Sequence, residues 1–224
     1  MKATSRFVIV AGLGMLFAGT AVAQMMGMRG PSMRGVWNPV VGSGAAYSTE
    51  QKGGEKSEME IAIVGKESVD GKDGYWYEMT MQSPRDEGQI VMKSLTVLDG
   101  SNVAIKRMIM QMPGQPPMEM PTMMMQQRGN MTRPADIRND AEDVGSESVT
   151  TPAGTFTCEH YRMKDGSADV WVAKNVSPYG LVKSTSKDTT MVLTRVLTEA
   201  KDKITGTPVP FSPMGMMQQR QQPN

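Results

Sequence analysis

Two kinds of sulfur stand where this chain could do chemistry. Cys158 and His160 are two residues apart in "TCEHYR". On a strand that spacing sets both side chains on one face, with Cα atoms about 6.5–7 Å apart. A thiol beside an imidazole can act as nucleophile and base, but Glu159 would point to the opposite face and nothing marks a group that orients the ring. A lone buried cysteine behaves as a small apolar residue, and that is the reading adopted. The second kind is thioether. The stretch "RMIMQMPGQPPMEMPTMMMQQ" (107–127) carries Met108, Met110, Met112, Met118, Met120, Met123, Met124 and Met125. Thioethers suit Cu(I), which makes Met118, Met120, Met123, Met124 and Met125 weak copper candidates. They also oxidise reversibly to the sulfoxide, and they adapt to irregular apolar surfaces and varied ligands.

Residue counts close other routes. One cysteine and one histidine cannot supply a Cys/His zinc site or a His₂Cys copper centre, and any Ser-His-Asp triad would have to use His160. There is no phosphate-cradling loop with a following Lys-Ser/Thr and no dinucleotide fingerprint. The carboxylate pairs Glu58/Glu60 and Glu142/Asp143 read as solvated charge. The expectation is a protein without catalytic residues and without a cofactor. Formal charge is +1 over the whole chain, and without Lys2 and Arg6 it is 22 basic against 23 acidic residues. No basic block stands out, so a nucleic-acid or anionic-membrane partner has no electrostatic support.

The elements that would position these groups are mostly strands. Turn signals recur at Gly53-Gly54, 70–74, Pro84 to Gly88, 99–102, 164–167 and Lys187-Asp188. Between them polarity alternates with period two. Met59, Ile61 and Ile63 share a face away from Glu58 and Glu60. Tyr75, Tyr77, Met79 and Met81 alternate with Trp76, Glu78, Thr80 and Gln82. Further runs follow at 89–98, 102–112, 155–163, 168–173, 181–187 and 189–198. Short strands at hairpin spacing predict a meandering antiparallel sheet. Only "PADIRNDAEDVG" (134–145) reads as helix, with Thr132 as its cap, Pro134 in its first turn, Gly145 at its end, and Ile137, Ala141 and Val144 on one side.

The methionine stretch divides at Pro113. Upstream, Met108, Met110 and Met112 share one face of a strand, with Ile105, Arg107, Ile109 and Gln111 on the other. Downstream, Pro113, Pro116, Pro117 and Pro121 forbid a continuous helix or a central strand, leaving a long connection over 113–131. Burying one methionine contributes roughly 1.5–3 kcal/mol, against about 1–2 kcal/mol of backbone ordering per residue. Such a segment would be a marginally docked lid.

The chain opens with Lys2 and Arg6, an apolar run from Phe7 to Ala18 and Ala21-Val22-Ala23 before Gln24, the pattern of a cleaved secretory signal. The run is shorter than the roughly 20 residues of a membrane span. No cysteine follows the cleavage site to carry a lipid anchor, so a periplasmic address is expected. Residues 24–35 and 205–224, rich in Gly, Pro, Met and Gln, read as flexible tails.

Four pieces carry a family likeness: Pro152-Ala153-Gly154-Thr155-Phe156, Tyr161-Arg162, Val170-Trp171-Val172 and Pro178-Tyr179-Gly180-Leu181-Val182-Lys183. Together they resemble uncharacterised exported bacterial domain-of-unknown-function families similar to the periplasmic lipoprotein-carrier (LolA/LolB-like) fold. The resemblance implies a curved antiparallel sheet, an incomplete barrel, whose apolar concave face is covered by helix or loop. It brings no catalytic residue. Physically the pieces read as scaffold, with Pro-Ala-Gly and Pro-Tyr-Gly as turns and Trp171 as a large core filler.

The expected molecule is therefore a signal peptide over 1–23 and a mostly β domain over 36–204, with one short helix and the methionine- and proline-rich loop. Its expected function is non-catalytic, periplasmic binding or carriage of a lipid or other apolar ligand on Met108, Met110, Met112, Met118, Met120 and Met123–Met125. Copper(I) binding or oxidant scavenging is one alternative, and a structural envelope protein without a small ligand is another.

Overall fold

Alternating polarity becomes thirteen strands among the described residues. The structure, a computed structural model, describes residues 35–82, 88–121 and 132–211, all within the compact unit Met33–Asn224. The strands are β1 (Gly44–Gln51), β2 (Lys56–Val69), β3 (Lys72–Gln82), β4 (Gln89–Asp99), β5 (Asn102–Gln111), β6 (Met118–Glu119), β7 (Thr132–Pro134), β8 (Ala141–Thr151), β9 (Gly154–Met163), β10 (Ala168–Val172), β11 (Leu181–Ser186), β12 (Thr189–Leu197) and β13 (Val209–Pro210). They form one sheet in the order β13-β6-β5-β4-β3-β2-β1-β12-β11-β10-β9-β8, with β7 also paired to β5. Neighbours are antiparallel except β13 with β6. The sheet is curved and open, not closed into a barrel.

Two meanders make this sheet, β1 to β5 and β8 to β12, and the pairing of β1 with β12 joins them, from Gly44↔Leu197 to Gln51↔Thr189. Turn chemistry sets local register. Asp70 and Gly71 both take left-handed backbone, φ 51° and 75°, as a two-residue type I′ hairpin requires, and Val69↔Lys72 closes the β2–β3 ladder. β1 escapes the polarity pattern because its Gly44-Ala45-Ala46 start has weak strand preference. Close approach explains the glycine: a Cβ on Gly44 would collide with the Ile61 carbonyl.

The helix expected over 134–145 does not form. Its start is β7, Ile137–Asn139 is a single 3₁₀ turn whose cap, Asp136, accepts from the Arg138 amide at 2.9 Å, and its remainder is the start of β8. Ile137 and Ala141 are buried, but Val144 is 49% exposed. The competing interaction is the ladder from Ala141↔Met163 to Thr151↔Gly154, which outweighs local helical spacing. Gly145 sits at a bulge in that ladder, at φ 124°. The tail expected from residue 205 is also different in its first part. Val209–Pro210 pairs with Met118–Glu119, and the Phe211 amide donates to the Glu119 carbonyl at 2.9 Å.

Opposed residues in a ladder share a face, which separates two surfaces. Ala45, Tyr47, Met59, Ile61, Ile63, Tyr77 and Met79 lie on the core face. It is covered by three crossing segments: the Val36 amide donates to Tyr179 at 2.9 Å, Trp37 to Ala135 at 2.6 Å, and Asn38 to Pro178 at 2.8 Å. Trp37 and Tyr179, with ring centroids 5.0 Å apart, pack there with Tyr77. The cover is strand-like chain and loop, where the family likeness allowed helix or loop.

Candidate ligand-binding face

Methionine enters the core face in rows. Ile61 opposes Met79, Met79 opposes Met92, Met92 opposes Met110 and Met110 opposes Met118. Four thioether side chains thus stand side by side on β3, β4, β5 and β6. Parallel rows run Met59–Met81–Ile90 and Ile63–Tyr77–Ser94–Met108. Directly opposed side chains start from Cβ atoms about 4.5–5.5 Å apart, within contact reach of so long a side chain. Burial divides the first row. Met79 is buried within the main core, Met92 is half-buried against its margin, and Met110 is half-buried outside it. Met118 is 7% exposed.

Four of the eight methionines singled out from sequence are brought together. Met108 and Met110 share the core face of β5, Met118 opposes Met110, and Met120 is drawn alongside as its amide donates to the Met108 carbonyl at 2.8 Å. Met112, half-buried, lies just beyond the end of β5. Met123, Met124 and Met125 fall outside the described residues. One detail of the expected alternation changes. A bulge at Lys106 lets Thr96 oppose Ile105 while Leu95 opposes Arg107, so Ile105 and Arg107 take different faces. Met92 is the residue that sequence reasoning left out of this face, with Met79 and Met81 on its core side. Its signal was the β3–β4 turn: once Gln82 opposes Gln89, counting back places Met79 opposite Met92.

The other face carries charge. The segment after β12 crosses it as a strap. Glu78, only 2% exposed, accepts from the Lys203 amide at 3.1 and 3.3 Å. Asp202 pairs with Lys93, while Glu60 pairs with both Lys203 and Arg195. Gln111 exchanges hydrogen bonds with Thr205, its amide nitrogen donating to the hydroxyl at 2.9 Å and its carbonyl accepting from the Thr205 amide at 2.9 Å. Burial, opposed by the Lys203 amide and reinforced by Asp202, pushes the Glu78 carboxyl up to about 7. The Lys203 hydrogen bond holds Glu60 below the usual carboxylate range. Glu60 is therefore a paired group in place of the solvated one expected, whereas Glu142 and Asp143 are exposed on β8. A cavity of about 210 Å³ beneath the strap is lined by Glu60, Glu78, Arg195 and Lys203.

Cys158 and His160 have separate partners. The Cys158 thiol is fully buried and donates to the Phe156 carbonyl at 3.7 Å; burial pushes it up to about 11, so it stays protonated at neutral pH. His160 stacks on Trp171 at 4.4 Å, with Nε2 2.8 Å from Asp169 and Nδ1 3.2 Å from Glu147. Trp171, expected as core filler, is half-buried; its indole donates to Glu147 and Lys183 lies 4.7 Å from its ring centroid. Among the described residues no three His, Cys, Asp or Glu side chains cluster as metal ligands, and no helix is long and apolar enough to cross a membrane.

No family model matches this chain, and no curated protein matches it. Several solved structures are similar to it, and two of them serve as examples. One is a Bacteroides fragilis NCTC 9343 protein described as exported with a YmcC-like fold, 13% identical, covering 73% of this chain and 99% of its own, at TM-score 0.37. The other is a protein from Parabacteroides distasonis ATCC 8503 described as a lipoprotein, 16% identical over the same shares, also at TM-score 0.37.

Proposed function

We propose that this chain is an exported, non-catalytic module that binds an apolar ligand, such as a lipid acyl chain, on the methionine-lined part of its core face. Met92, Met108, Met110 and Met112 form the floor, with Met118 and Met120 along its edge. The observation that supports this most is the change along one row, from Met79 inside the sealed core to Met92 and Met110 half-buried beyond it. Flexible, polarizable side chains at such a margin adapt to ligands of varied shape. β6 and β7, which precede and follow residues 122–131 in the chain, both pair with β5. Export rests on residues 1–23, and protein recovered from the envelope should have the intact mass of a chain beginning at Gln24.

The test is saturable binding of a neutral fluorescent probe, N-phenyl-1-naphthylamine, displaced by a long-chain fatty acid. Replacing Met92 and Met110 together by Gln should weaken probe binding about tenfold or more, since each polar replacement forfeits roughly 1–2 kcal/mol of apolar contact. Equal binding by the wild type and the double variant, both folded, would refute the assignment.

A further inference from the structure

The same register has a second chemical meaning, independent of whether an apolar molecule binds. Three adjacent strands present one thioether each at one level: Met92 on β4, Met110 on β5 and Met118 on β6. Neighbouring strands lie about 4.7–4.9 Å apart, and each methionine has three rotatable bonds. The two outer sulfurs can therefore lean toward the central one and meet on a single ion. Met79, fourth in the row, is committed to the buried core, and three strand spacings separate it from Met118. Met108 lies two residues before Met110 on the same face, with Met120 tied to it, so further sulfur borders the trio.

We infer that Met92, Met110 and Met118 form a three-thioether site for Cu(I). The ion fits the chemistry available. Thioether is a soft, neutral donor that selects Cu(I) over harder divalent cations, and it needs no deprotonation, unlike thiolate. Arg107 and Lys93, the cations nearest along these strands, belong to the opposite face: Leu95 opposes Arg107 and Lys93 opposes Ile109, while Arg107 is held there by Glu119 at 2.8 Å. Neither cation stands beside the sulfurs to repel a metal. Binding leaves the copper in its reduced state and requires no electron donor or acceptor.

Methionine-to-leucine replacement separates this site from the apolar-ligand reading, because leucine keeps the volume and hydrophobicity while deleting the sulfur. The full exported chain is loaded anaerobically with Cu(I) and challenged with bicinchoninate. The wild type should retain one equivalent, and Met92→Leu, Met110→Leu and Met118→Leu should each lose at least tenfold in affinity. Leucine at Met214, Met216 and Met217 together should change nothing. As a check that needs no substitution, Ag(I) titrated into protein with ¹³C-labelled methionine methyls should shift Met92, Met110 and Met118 and leave Met163 in place. Failure of the wild type to hold Cu(I), retention by the three core-face variants, or loss on changing only the tail methionines would each overturn the site.

Discussion

Glu78 shows how surroundings reset a residue that looks ordinary in sequence. It alternates with Tyr77 and Met79, so its polar face reads as solvent; nothing nearby announces that Lys203, 125 positions later, will cover it. Its proton then has a thermodynamic role. The ordinary value is 4.5 and the folded value about 7, so between them the folded chain holds a proton that the unfolded chain has released. Stability from this group is full below pH 4.5 and is lost as pH rises through 7. Glu60, Lys201, Lys203 and Arg195 line the same cavity, and Asp202, paired with Lys93, acts on Glu78 beside it; Glu60 and Asp202 are both held below their ordinary values, outside this window. Glu78→Gln should therefore flatten the pH dependence of the melting temperature above pH 4.5, removing about 1–3 kcal/mol of variation. Parallel curves for wild type and variant would contradict the assignment. At Cys158 the expectation is inertness: iodoacetamide at neutral pH should label it only after unfolding, since its thiol is buried and protonated. Rapid labelling of the folded chain would show an accessible thiolate instead.

Elements differ in how much of themselves the sequence exposes. The strands from β2 to β5 and from β9 to β12 are legible because each has one buried and one polar face and is bounded by turn residues. β8 is not, because Ile137, Ala141 and Val144 satisfy a helical period equally well, and only the β9 partner decides between the two. The strap is illegible for another reason. "KDKITGTPVPF" carries no period, and its place is set by Glu78, Gln111 and the edge of β6. Ending the chain at Lys201 tests that placement. It should lower the melting temperature, and it should abolish the pH step near neutrality by returning water to Glu78. A truncated chain that kept both the stability and the pH step would mean that the strap does not cover the carboxylate.

At the scale of the molecule, one curved sheet serves two surfaces with different contents. The β1–β12 seam brings residues near the start of the domain against residues near its end, so both meanders share one apolar core and should unfold in a single cooperative transition. Val192→Pro, placed opposite Ser48 at the seam, removes a backbone donor from an interior strand. It should destabilise the whole domain by about 3 kcal/mol or more, read as one melting transition at lower temperature. Two separate transitions would show that the meanders are independent. The proposed binding face was half legible. Met108, Met110 and Met118 stood out by abundance alone, while Met92 and Met79 needed the β3–β4 and β4–β5 registers to become their neighbours.

The most direct measurement is methyl NMR of the ¹³C-methionine-labelled chain titrated with a long-chain fatty acid. Binding on the methionine face predicts saturable shifts at Met92, Met108 and Met110, with Met163 and Met191 unmoved. Unmoved resonances at Met92, Met108 and Met110 at saturating ligand would contradict the proposal.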